Sequence, residues 1–345
     1  MRRDTPRTLL AAAVLAATLA TAGCSAARDG GPAAAPRRQA ATVGEPSDPT
    51  GWTLPLMAYL PTREQRRTLV RAERSLVGRC MTAFGLRWSP PADLPEVGPR
   101  NDMDWRYGIH DAALAATRGF QPDDGQIARY EAVLRAQDAR PRLSHDAEVV
   151  LGGTGLPREA LALAGPEVRS GTFHGKKIPE GGCFGQARNR LETATYGVSR
   201  SASELSGRSF LEAARDPAVR SVFTRWSACM KAEGFSYADP PALFDDPRFG
   251  RRPHPVTSLE IATARADLHC RAGLHVAEAW HTAEEHLQRQ YIKDNHHALE
   301  AARHALARSL RAAARALPPP GAPPAHSPTG PPTTSGHPAG PRPGQ

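Results

Sequence analysis

An apolar run of low charge from Leu9 to Ala22 follows Arg2, Arg3 and Arg7 and ends beside Cys24, and this decides the solvent in which the rest of the chain folds. Basic residues followed by an apolar stretch are the layout of an export signal. The run is too short to span a membrane as a helix, which takes about 20 residues. An exported chain meets an oxidising compartment in which cysteines pair. Cleavage after Ala20-Thr21-Ala22 would leave an odd thiol. If Cys24 is instead the modified first residue of the mature chain, Cys80, Cys183, Cys229 and Cys270 remain as an even set.

Four positions allow three connectivities. The preferred one joins Cys80 to Cys183 and Cys229 to Cys270. Zinc ligation by the four is disfavoured, because no C-x-x-C pair exists and the compartment is oxidising.

Composition separates a body from two appendages. Residues 24–51 are rich in Ala, Gly and Pro without periodicity, the pattern of a flexible tether. From residue 318 onward 16 of 28 residues are Pro or Gly and the one charge is Arg342, so residues 318–345 read as a disordered tail. Between them, residues 52–317 are long enough to bury a substantial core. The expected organisation is therefore signal peptide 1–23, tether 24–51, extracytoplasmic domain 52–317 and tail 318–345.

Within the domain the apolar spacing predicts a mainly α fold with long irregular loops. Thr62 caps a helix carrying Leu69, Ala72, Leu76 and Cys80 that stops at Gly85. Asp216 and Pro217 open another, whose face is Val219, Phe223, Trp226 and Met230, closed by Gly234. Thr257 and Glu260 form a capping box for a helix running to Gly273. Val276 to Leu317 contains no Pro or Gly, which predicts a long C-terminal helix, single or broken near Asp294-Asn295. Residues 93–121 read as irregular, and the glycines between Leu151 and Gly185 as loop with a short helix from Arg158 to Leu163.

Two of these helix ends echo each other. Cys80-Met81, Gly85-Leu86 and Trp88 match Cys229-Met230, Gly234-Phe235 and Tyr237 in spacing. In each, the glycine suits a left-handed cap and the next apolar residue folds back on the last turn. The pattern predicts one structural solution used twice.

Catalytic motifs find no match: there is no G-x-S-x-G, S-x-x-K or H-E-x-x-H, and the glycine-rich stretch lacks the ending that cradles phosphate. His297, Glu300 and His304 share one side of the last helix and form a weak metal candidate, with a solvent-facing polar strip the better reading. Asp123-Asp124 and Asp245-Asp246 are adjacent carboxylates, and adjacency does not set the separation that acid and base work needs. No cofactor is expected. Loss of residues 1–23 removes three arginines and one aspartate, taking the formal charge from +9 to +7. The plain reading of that balance is a solvated basic surface; the sharper one is an anionic wall polymer, lipid headgroup or envelope protein as partner. No nucleic-acid-binding pattern is present.

Thr21-Ala22-Gly23-Cys24 resembles the processing box of bacterial lipoproteins, with Thr21 where a leucine-like side chain is usual. Together with C-M-x-x-x-G-F-x-Y at Cys229 to Tyr237, G-G-C-x-G at Gly181 to Gly185 and A-D-x-x-C at Ala266 to Cys270, it makes the chain resemble secreted lipoproteins of actinobacteria such as streptomycetes, a group with no settled activity. The resemblance implies acylation of Cys24, residence on the extracytoplasmic face of the cell membrane and four disulfide cysteines. It implies no catalytic residue. The expected role is non-catalytic binding or envelope structure, with a hydrolase of wall or peptide material as the alternative.

Overall fold

A computed structural model describes residues 47–250 and 255–317. The signal segment, Cys24, the tether up to residue 46 and the tail from residue 318 lie outside the described residues.

Local signals place most of the helices. In α1 (Arg63–Ala83) the Thr62 hydroxyl accepts from the Gln65 N–H while the Gln65 side chain accepts from the Thr62 N–H, a complete capping box. Then follow α2 (Ala112–Arg118), α3 (Asp124–Asp138), α4 (His145–Gly152), α5 (Arg158–Ala162) and α6 (Pro166–Arg169). A two-residue antiparallel pair, β1 (Thr172–Phe173) and β2 (Lys176–Lys177), precedes α7 (Gly182–Leu191) and α8 (Arg200–Ala213). The chain continues through α9 (Pro217–Ala232), the short α10 (Pro240–Phe244) and α11 (Pro247–Gly250), then α12 (Ser258–Leu274), α13 (Val276–Asp294) and α14 (His296–Ala316). The fold is mainly α, as expected.

Both disulfides are the preferred pairs, Cys80–Cys183 and Cys229–Cys270, and each staples its own apolar core. The first core brings Leu69, Val77 and Met81 of α1 against Val150 of α4, Ala187 and Leu191 of α7, and Leu306 and Ala313 of α14. In the second, Phe223, Trp226 and Met230 of α9 pack with Ala266 of α12 and Trp280 of α13. A small cluster of Leu56, Ala202 and Leu299 lies apart from both.

The echoed helix ends are the same motif twice. Gly85 N–H bonds to Thr82 O and Leu86 N–H to Met81 O; Gly234 N–H bonds to Lys231 O and Phe235 N–H to Met230 O. Both glycines have positive φ, 75° and 91°. These are full Schellman caps, and Leu86 packs on the first core and Phe235 on the second.

The C-terminal helix is two helices, broken at Asn295. Gly273 does not end α12: the helix runs to Leu274 and stops at His275, which takes the left-handed conformation at φ 52°. The capping box at Thr257 is half made. Thr257 accepts from the Glu260 N–H, but the Glu260 side chain is buried and turned to Phe120 N and Gln121. Residues 93–121 contain α2, capped by Asp111. The glycine-rich stretch contains α6 and the β pair beside the expected α5, and its G-G-C-x-G segment starts α7. A Cβ at Gly182 would lie 2.4 Å from Gly153 N and 2.5 Å from Leu151 O, so the glycine is there for close backbone approach. Among the described residues no helix is long and apolar enough to cross a membrane.

The body begins earlier than residue 52. Ser47 donates to Glu278, Asp48 pairs with Arg100, Pro49 is buried, and Leu56 N–H donates to Gln288 Oε1 at 2.9 Å. This strap, residues 47–56, carries no period that would mark a buried side. Its fixed position comes from partners far away in sequence.

Candidate functional site

The strap crosses an irregular segment, residues 99–110, that contains the buried Asp104 and reaches the buried Glu284 and Arg271. Backbone without a helix or ladder needs other anchors, and here side chains supply them. Arg106 forms a two-pronged pair with Glu284, which is fully buried on α13. Tyr107 Oη donates to the same carboxylate at 2.8 Å, Ser209 Oγ at 2.8 Å and Gln288 Nε2 at 3.0 Å. Burial and the Glu284 charge hold the Tyr107 hydroxyl far above the usual tyrosine range. Close by, Arg271 grips the buried Asp267 through Nε at 2.7 and 2.8 Å and donates to Tyr107 O at 2.5 Å. Trp226 Nε1 also donates to Asp267.

A second group gathers Asp48, Asp104 and His110, whose ligand-type atoms lie within 4.8 Å of one another. It has the composition of a metal site, but a cation is already there. Arg100 Nη2 lies 3.2 Å from Asp48 Oδ1, 3.1 Å from Asp104 Oδ1 and 3.4 Å from His110 Nε2. An ion would have to displace this guanidinium, so the group works as an ion-pair clasp between strap and loop. His110 Nε2 donates to Asp104 Oδ1 at 2.6 Å.

Burial opposes ionisation of Asp104, yet the Arg100 side chain, the Arg100 N–H and His110 outweigh it and hold the carboxyl at about 2 instead of 3.8. A depressed carboxyl stabilises the fold above its unfolded value, and that contribution disappears as pH falls through the folded value. The melting temperature is therefore expected to drop between pH 3.8 and about 2. In Asp104→Asn the drop should be shallower over this window, as read by circular dichroism; an unchanged slope would show that other groups carry it.

Beside the clasp lies an open groove of about 570 Å³. Trp52, Leu54, Met57, Leu60 and Met103 give it an apolar lining, and Arg63, Arg67, Arg100 and Arg106 stand around them together with Glu64 and Asp102; Arg63 and Arg67 pair with Glu96, Arg100 with Asp104 and Arg106 with Glu284. Met57 is 37% exposed, which is high for a large apolar side chain beside a core. Arg63 joins α1 to the opposite wall, donating to Pro99 O and Arg100 O at 3.0 Å each and to Glu96 at 3.2 Å. An apolar floor rimmed by paired charges of both signs suits a ligand that is greasy in one part and polar in another.

No protein-family model, curated protein or solved structure matches this chain. What the groove does has to follow from its own residues.

The sequence-predicted candidates lie elsewhere. Glu300 pairs with Arg303 at 2.6 Å, His304 Nε2 is 3.9 Å from Glu300, and His297 is exposed. The trio forms no ligand set among the described residues. Asp123 caps α3, Asp124 pairs with Arg118, and Asp246 is held below the carboxylate range chiefly by Arg248. Sequence reading missed Arg100, Asp104, Arg106, His110 and Glu284. One signal was present: Glu284 and Gln288 interrupt the α13 face that Trp280 and Tyr291 mark as buried.

Proposed function

We propose that this chain is a lipid-anchored, non-catalytic binding protein on the extracytoplasmic face of the cell membrane, held through acylated Cys24. Three things support the location: the export-type leader, the lipobox-like segment before Cys24, and two disulfides of the kind that persist in an oxidising compartment. The observation that carries the binding role is the groove, with its apolar floor and an edge of arginines, Glu64 and Asp102. The buried carboxylates around it are engaged in ion pairs that position backbone, which favours binding over the alternative of a wall or peptide hydrolase.

The chain from residue 24, produced without its leader and with Cys24→Ser so that it carries no acyl group, is expected to be retained on purified cell wall or on anionic vesicles at low salt, and less at moderate salt. Met57→Asp, at an exposed position on the groove, should weaken that retention without lowering the melting temperature by more than a few degrees. Absence of retention on either material would defeat the binding role. Intact-mass mapping of the native protein without reduction should find a diacylglyceryl group on Cys24 and no free thiol; an unmodified Cys24 would remove the anchor.

A further inference from the structure

A different surface, where α1, α7 and α14 meet, has the character of an anion receptor. An open concavity of about 270 Å³ is lined by Leu76, Arg79, Arg190, Ala312, Arg315 and Ala316. Four other concavities on the described residues each have a carboxylate in the wall, whereas this one has three guanidinium groups and no acid.

Nearby carboxylates are committed elsewhere. Glu73 is buried and accepts from Arg188 and Tyr196, and Glu192 pairs with Arg308 at 3.0 Å. Arg190 and Arg315 are exposed and have no hydrogen bond or ion pair among the described residues. Arg79 is fixed, donating through both Nη atoms to Ala316 O at 3.0 Å.

A simpler explanation is that arginines complement helix C-termini, since Arg190 and Arg315 stand in the last turns of α7 and α14. Magnitudes decide against it as a full account. Each C-terminus carries roughly half a negative charge, so two of them leave about two positive charges uncompensated. The end of α1 already has its own cation, because Lys176 Nζ donates to Ala83 O at 2.7 Å.

We infer that this pocket binds a phosphate-type oxyanion, with Arg190 and Arg315 as the movable forks and Arg79 as the fixed wall. Guanidinium forks match phosphate oxygens in pairs, and shallow apolar walls such as Leu76 and Ala312 leave room for them to close. The site is separate from the groove and rests on the envelope reading only for where such a group would come from: a free phosphate or a phospholipid headgroup.

The test uses the full chain from residue 24 produced without its leader and with Cys24→Ser, so that no acyl anchor carries it into vesicles. Calorimetric titration with inorganic phosphate against chloride at constant ionic strength reads a free oxyanion. Co-sedimentation with phosphatidylglycerol vesicles, against phosphatidylcholine, reads a headgroup. Binding in either arm supports the site, and the arm that responds names the source. Arg190→Gln with Arg315→Gln should weaken that binding by about tenfold or more, while the same positions changed to Lys should recover only part of it. Met57→Asp, which tests the groove, should leave the phosphate titration unaffected, whatever it does to retention on vesicles. Native protein that binds neither probe would overturn the inference, as would a Gln pair that binds as well as native. A Lys pair indistinguishable from native would reduce the pocket to plain surface charge and overturn it too.

Discussion

Replacing both Cys80 and Cys183 by alanine is expected to destabilise the protein by about 5 kcal/mol, and the same change at Cys229 and Cys270 by about 4 kcal/mol. The order follows from loop length. The first bridge spans a sequence separation of 103 and the second 41, and the entropy withheld from the unfolded chain grows slowly with the size of the closed loop. Alanine is the right replacement because Cys80, Cys183 and Cys270 are buried, where a serine hydroxyl would need a partner. Against a usual total of 5–15 kcal/mol, either loss is a large share.

The two cores also make the effects separable by place. Loss of the Cys80–Cys183 bridge should raise hydrogen exchange first in α1 and α7, which it joins, while α9 and α12 keep their protection. Urea unfolding and exchange mass spectrometry check both points. A larger loss from the shorter loop, or uniform exchange in both cores, would contradict the account.

What was legible in the sequence was what short-range physics decides. Thr62, Asp216 and Thr257 each cap the helix that follows, and Gly85 and Gly234 end two of them, because a cap is settled within a few residues. The disulfide pairing also agrees with the expectation, and of the two alternatives for the C-terminal segment the break at Asn295 is the one that holds. Gly273 misled because glycine is permitted at a helix end and not required there; α12 continues one residue further and the left-handed position falls to His275. The clasp and groove were hidden for the opposite reason. Arg106 meets Glu284 across 178 residues and Ser47 meets Glu278 across 231, and neither residues 99–110 nor the strap carries a period that would reveal a buried side. Charged residues in such segments read as solvent-facing until their partners are known.

Arg106 and Glu284 give the sharpest test of whether that hidden charge network holds the fold. Arg106→Met is expected to destabilise the protein by about 3 kcal/mol, the lower part of the usual range for breaking a buried pair, because the Arg106 side chain keeps 19% exposure while Glu284 has none. The cost comes from stranding the carboxylate. Tyr107, Ser209 and Gln288 still donate to it, but three neutral donors do not replace a guanidinium charge. Adding Glu284→Gln to Arg106→Met should therefore recover a good part of the loss, since an amide leaves no charge behind and keeps an acceptor for Tyr107. By contrast Arg289→Ala, which breaks an exposed pair with Glu285 on α13, should cost less than about 1 kcal/mol. Urea midpoints at constant m-value measure all three. If the double variant is as unstable as the sum of its parts, Arg106 acts through its stacking on Phe210, 5.1 Å from the ring, and not through the charge it lends to Glu284.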